Sequence, residues 1–151
     1  PGCLTVTSGG LTLAGTYQVE IQGTTVCTEY DQTDVTGTVD VTGGTLDVDF
    51  LNDFVPAVNN TFIIINNDGT DAVTGTFTGL GNGETFTENG VTLRVNYDGG
   101  DGNDVVLTVT AVPAVPDTGS EELLTSPITT LVAALATLGV IVGFRKLQSR
   151  K

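Results

Sequence analysis

From Gly2 to Thr110 the chain has no stretch with a convincing 3.6-residue apolar period, and this limits its fold more than any other feature. Short alternating runs take its place: Leu4-Thr5-Val6, Leu11-Thr12-Leu13, Tyr17-Gln18-Val19-Glu20-Ile21, Val39-Asp40-Val41, Leu46-Asp47-Val48-Asp49-Phe50 and Val91-Thr92-Leu93-Arg94-Val95-Asn96-Tyr97. Alternation sends successive side chains to opposite faces, so each run reads as a half-buried strand. Phe62-Ile63-Ile64-Ile65 is apolar throughout and reads as a strand covered on both faces. Gly9-Gly10, Gly43-Gly44, Asp68-Gly69, Asn89-Gly90 and Asp98-Gly99 punctuate the runs as turn signals. Thr and Gly, the latter 20 residues, dominate the composition and suit short strands with tight turns. Residues 1–110 are expected to be all-β.

A faint internal echo suggests how the strands are arranged. Val6-Thr7-Ser8-Gly9-Gly10-Leu11 resembles Asp40-Val41-Thr42-Gly43-Gly44-Thr45-Leu46, about one and a half coils apart if a coil takes roughly 20–25 residues. Stacked short strands with Gly-rich corners fit a β-solenoid, and a β-sandwich gives a similar pattern.

The character changes at Ala111. Residues 111–122 begin Ala111-Val112-Pro113-Ala114-Val115-Pro116 and read as an extended linker. Ile128 to Phe144 carries no charge, and residues 123–144 are long enough for one transmembrane helix, with Pro127 tolerable in its first turns. Four of the five basic residues, Arg145, Lys146, Arg150 and Lys151, lie in the last seven positions. They form a basic tail, 145–151, that acts as a membrane stop. All 18 acidic residues precede that tail, against a single base, Arg94. Positive charge stays cytoplasmic, so the acidic body is expected outside the cell. A formal net charge of −13 excludes nucleic acid as a partner. Opening on Pro1 and lacking Met, the sequence reads as a processed or excised piece of a longer chain.

Val115-Pro116-Asp117-Thr118-Gly119, then an apolar span, then a basic end, resembles the cell-wall sorting signal of sortase substrates. The family pattern is Leu-Pro-x-Thr-Gly, and here Val stands at the first position. The resemblance implies cleavage between Thr118 and Gly119, with Thr118 joined to an amine of the cell envelope. A plain C-terminal membrane anchor with a Pro-rich stalk has the same order of parts.

The body has a resemblance of its own. Tyr30-Asp31-Gln32, Val35-Thr36-Gly37-Thr38-Val39, Phe62 to Gly69, Val73-Thr74-Gly75-Thr76-Phe77 and Val95 to Thr108 look like the last part of β-helical repeat regions in autotransporter-like, adhesin-type bacterial surface proteins. This implies the end of a right-handed parallel β-helix closed by an antiparallel cap, with upstream coils of the same chain as its neighbours. It implies no single activity.

Gly99-Gly100-Asp101-Gly102-Asn103-Asp104-Val105-Val106-Leu107 fits one copy of the calcium nonapeptide Gly-Gly-x-Gly-x-Asp-x-U-x. Calcium takes six to eight oxygens, and one copy supplies about half a cage. Asp98, Asp101 and Asp104 are the candidate ligands, with Asn66, Asp68 and Asp71 second. The alternative is a Gly-rich turn into a last strand. Cys3 and Cys27 form an even pair, expected as a disulfide between adjacent coils, with two reduced thiols as the alternative. No catalytic residue is assigned, since a chain without His cannot build a Ser–His or Cys–His pair. The sequence therefore reads as the C-terminal part of a bacterial surface protein, a display stalk or adhesin. A carbohydrate- or calcium-dependent binding module and the non-catalytic end of a polysaccharide-degrading enzyme are the alternatives.

Overall fold

Three short strands open the chain: β1 (Cys3–Val6), β2 (Leu11–Thr12) and β3 (Thr16–Ile21). Three more follow in the same order, β4 (Gln32–Val35), β5 (Val39–Asp40) and β6 (Thr45–Phe50). Each of the second set lies parallel to its counterpart in the first. The computed structural model describes residues 1–114, and among them there is no helix. The all-β expectation holds for this region. The linker beyond Ala114, the membrane span and the basic tail lie outside the described residues.

Parallel, in-register pairing makes the alternation in the sequence add up between strands. Tyr17 lies beside Leu46, Val19 beside Val48 and Ile21 beside Phe50, so apolar side chains stack on apolar side chains facing inward. On the other face Thr16 meets Thr45, Gln18 meets Asp47 and Glu20 meets Asp49. Val19, Ile21, Val39, Val41 and Val48 are buried, joined by Phe62, Ile64, Ile65, Leu93 and Leu107 from later strands. Each such side chain is worth about 1.5–3 kcal/mol of apolar transfer, which makes this column the main stabilising element.

Beyond β6 the chain enters β7 (Thr61–Asn67), parallel to β4, and Thr74 then makes a parallel bridge to Asp40 beside β5. The pattern next reverses. β8 (Thr85–Glu88) and β9 (Val91–Gly99) form an antiparallel hairpin, and β10 (Asp104–Ala111) inserts antiparallel between β9 and β7. The result is a mixed sheet in the order β1-β4-β7-β10-β9-β8, accompanied by the two-stranded pairs β2-β5 and β3-β6. No barrel closes. The apolar run Phe62–Ile65 lies in β7, flanked by β4 and β10, with Phe62, Ile64 and Ile65 fully buried and Ile63 partly so.

The spacing between stacked strands corrects the expected 20–25 residues. Cys3 stands opposite Gln32, 29 positions on, and Thr33 opposite Ile65, 32 positions on. The extra length lies in the loops. Residues 22–31 make a small knot of their own, in which Cys27 N–H donates to the Tyr30 carbonyl and the Glu29 carboxylate accepts from Thr24 and Thr25 N–H. The echo between Gly9-Gly10 and Gly43-Gly44 marks two different corners, one leading into β2 and the other into β6.

Two glycines show why the corners need Gly. Gly10 has φ +77°, and a Cβ there would collide with the Thr38 carbonyl of the next pass. Gly75 has φ +74°, and a Cβ there would run into the Thr42 hydroxyl. Between β8 and β9, Asn89 (φ 49°) and Gly90 (φ 81°) are both left-handed, the signature of a two-residue hairpin turn.

Candidate functional site

The β9–β10 turn is where the sequence placed its metal candidates, and the structure gives those residues separate tasks. Gly102 N–H donates to the Gly99 carbonyl, closing the turn, and Gly100 has φ +57°. Asp98 is exposed on β9 and accepts from the Asn82 amide at 3.3 Å. Asp101 is exposed on the turn. Asp104 is 3% exposed, and its Oδ1 accepts from Asn67 N–H at 2.9 Å, tying β10 to the end of β7. Gly100 backs directly onto the same carboxylate, leaving no room there for a side chain. Burial pushes the Asp104 pKa upward; the Asn67 N–H opposes this, and the negative charge of Asp101 adds to it.

The second candidate group belongs to the same junction. Asn66 donates its amide to Asp34 Oδ1 at 2.8 Å across the β4–β7 pair, and Asp68 Oδ1 accepts from Gly37 N–H at 2.8 Å. Asp71 contributes its backbone carbonyl, which accepts from the Asn67 and Asn103 amides at 2.7 and 3.2 Å. Asn103 also donates to the Asp68 carbonyl at 3.2 Å. The loop after β7 and the turn before β10 are thus laced together by two buried asparagines that the sequence reading did not single out. Their amide oxygens have no hydrogen-bond partner among the described residues. The only sequence signal was their place in Asn-Asn-Asp-Gly and Gly-Asn-Asp, both read as turns.

This arrangement does not gather carboxylates. Among the described residues no group of three or more Asp, Glu, Cys or His side chains is placed to hold a metal ion. Asp104 faces Asn67 N–H while Asp98 faces Asn82, so the nonapeptide-like run works here as a turn between strands.

Cys3 and Cys27 are joined in a disulfide with a Cα–Cα distance of 4.7 Å. The pairing is as expected, but its location differs. Cys27 comes 24 residues after Cys3, short of the 29 that separate stacked positions, so it lies in the loop before β4. The bond closes the first pass on itself. Asp31 reinforces the same corner by accepting from the N–H of Gly2 and, at 2.9 Å, from that of Glu20.

The aromatic side chains serve the interior. Tyr17, Phe77 and Tyr97 form a column with ring centroids 6.1 Å apart at each step, and Tyr30 meets Phe62 edge-on at 5.3 Å. Tyr17 OH donates to the Ile64 carbonyl at 2.8 Å, and Tyr97 OH donates to the Leu80 carbonyl while accepting from Phe77 N–H. The large apolar side chains that remain exposed among the described residues are aliphatic: Leu4, Val26, Val55 and Val58.

The sorting-type motif Val115, Pro116, Asp117, Thr118 and Gly119 lies just outside the described residues, as do Arg145, Lys146, Arg150 and Lys151. Among the described residues no helix is long and apolar enough to cross a membrane. No protein-family model, no curated protein and no solved structure matches the chain.

Proposed function

We propose that the chain is the C-terminal part of a bacterial cell-surface protein, a display stalk or adhesin end held to the envelope through its last 37 residues. One observation carries this reading: β1, β2 and β3 are matched in order and in parallel by β4, β5 and β6, and the series ends in antiparallel strands whose last member leads into the Pro-containing stretch. Parallel pairing on three faces in sequence favours the end of a right-handed parallel β-helix over a sandwich, whose hairpin connections would pair neighbours antiparallel. β1, β2 and β3 each have one paired neighbour, so a preceding coil of the same chain has three parallel edges to join. Such a coil would also cover Leu4, 60% exposed on β1.

The C-terminal side supplies attachment. The order of Val115-Pro116-Asp117-Thr118-Gly119, an uncharged span and Arg145, Lys146, Arg150 and Lys151 supports processing by a membrane-bound sortase, with Thr118 as the linked residue. The body would then stand outside the membrane and the basic tail inside. Its acidic surface, with Arg94 as the only base before the tail, suits a soluble exterior. The test is Thr118→Ala in a bacterium that carries a sortase. Envelope linkage should be lost and a membrane-held precursor should accumulate; linkage at the wild-type level would overturn the sorting assignment.

A further inference from the structure

We infer that the Cys3–Cys27 disulfide is a mechanical clip that takes the first pass of the chain out of the load path when the protein is pulled. This rests on the display reading above, which supplies the load. A C-terminally attached stalk that holds something at its other end feels tension from its N-terminal side to Ala111, where β10 ends.

The sheet register decides how that tension acts. β1, β4 and β7 run parallel, and β10 runs antiparallel to β7, with Thr108 opposite Thr61. The chain therefore enters β1 and leaves β10 through strand ends that face the same way, Cys3 standing level with Ile64 of β7 and Thr108 level with Thr61. Tension on β1 acts at its first residue and loads its pairs one after another from there, and successive rupture needs less force than shearing all pairs together. β1 is the vulnerable strand wherever no preceding coil is paired with it: among the described residues it lies at the sheet edge, three of its four residues are exposed, and its one partner is β4.

Peeling of β1 would begin at its first pair, Cys3 opposite Gln32. The disulfide sits on that residue. With the bond intact, tension passes from Cys3 through sulfur to Cys27, bypassing residues 4–26, which contain the rest of β1 and all of β2 and β3. It next reaches Tyr30, which is buried against Phe62, and then β4, which is held between β1 and β7. The clip thus preserves the three edges that a preceding coil would use. A low-molecular-weight thiol would undo it by exchange: two thiol molecules are oxidised to their disulfide while Cys3 and Cys27 become thiols, taking up the two protons.

Single-molecule force spectroscopy on the full chain, with handles at Pro1 and Lys151, tests this. The oxidised protein is compared with the same protein reduced by a phosphine and with a Cys3→Ser, Cys27→Ser double variant, and circular dichroism checks the sheet in each before pulling. In the reduced and variant forms an early step at lower force should appear, releasing about 80 Å of chain for the 24-residue separation. That step should be absent when the bond is intact. First rupture at the same force in all forms would overturn the clip. So would loss of the sheet on reduction without load, because the bond would then serve folding itself. The pull uses free protein, so its outcome is independent of the Thr118→Ala result. A failure of envelope linkage would remove the source of load and leave the peeling geometry to be read separately.

Discussion

Tyr17 shows how much one side chain can do inside a narrow stack of strands. Its ring lies against Phe77, its hydroxyl donates to the Ile64 carbonyl, and Thr33 Oγ1 lies 2.9 Å away. It therefore joins all three passes of the chain. Burial pushes its pKa up to about 12; the Thr33 hydrogen bond opposes the shift and the Asp31 charge adds to it. The folded value lies above the unfolded value of 10.0, so the neutral phenol stabilises the fold fully below pH 10 and that contribution is lost as pH rises towards 12. Chemical denaturation from pH 9 to 12 should show stability falling across this window. Tyr17→Phe should flatten the fall and cost about 1 kcal/mol at neutral pH, through the loss of the Ile64 hydrogen bond. Tyr30 and Tyr97, both shifted upward by burial, should leave a residual slope.

At the scale of elements, the junction of β7 with the β9–β10 turn holds the antiparallel strands on the parallel ones. Asp104 is central to it because it satisfies the buried N–H of Asn67. Asp104→Ala leaves that donor without a partner and should cost about 1–3 kcal/mol in urea unfolding. Charge acts in the other direction. The folded pKa of Asp104 is raised, so its contribution is greatest below the ordinary carboxylate value of 3.8 and declines as pH rises through the folded value. Asp104→Asn keeps an acceptor oxygen without the ionisation, and its stability should decline less than that of the wild type as pH rises from 3 to 7. Asparagine scanning by the same method would place Asn67 and Asn103 in the same cooperative unit, since both donate to the Asp71 carbonyl.

Across the described residues as a whole, stability comes from one apolar column and one covalent closure. Opening the Cys3–Cys27 loop enlarges the unfolded ensemble, which in the chain-entropy model costs about 3 kcal/mol for a loop of this size. Reduced and oxidised protein compared by guanidinium unfolding should differ by about that amount. A protein with a typical stability of about 5–15 kcal/mol would remain folded. Among the described residues no salt bridge joins two side chains, so ion pairing between side chains adds nothing to this stability.

The alternating runs and Gly-rich corners determined the class of the described region by themselves, because period-two patterning is a local property that survives any arrangement of strands. Even the inward set was readable: Val19, Ile21, Val39, Val48, Leu93 and Val95 all alternate with polar neighbours, and all are buried. The β8 segment Thr-Phe-Thr-Glu alternates too, but it is too short to stand out from the turns around it. The cysteine pairing was legible from an even count. Its location was not, because it depends on a pass of 29 residues, set by loop 22–31, which no local pattern reports. Which partners the acidic residues of the β9–β10 turn meet is hidden for the same reason. Asp98, Asp101 and Asp104 are close in sequence, but strand alternation and the turn send them to different partners, and only tertiary packing brings Asn67 and Asp104 together across 37 residues. Local chemistry fixes which face a residue occupies; which residue it meets there is a long-range choice, made by strand register.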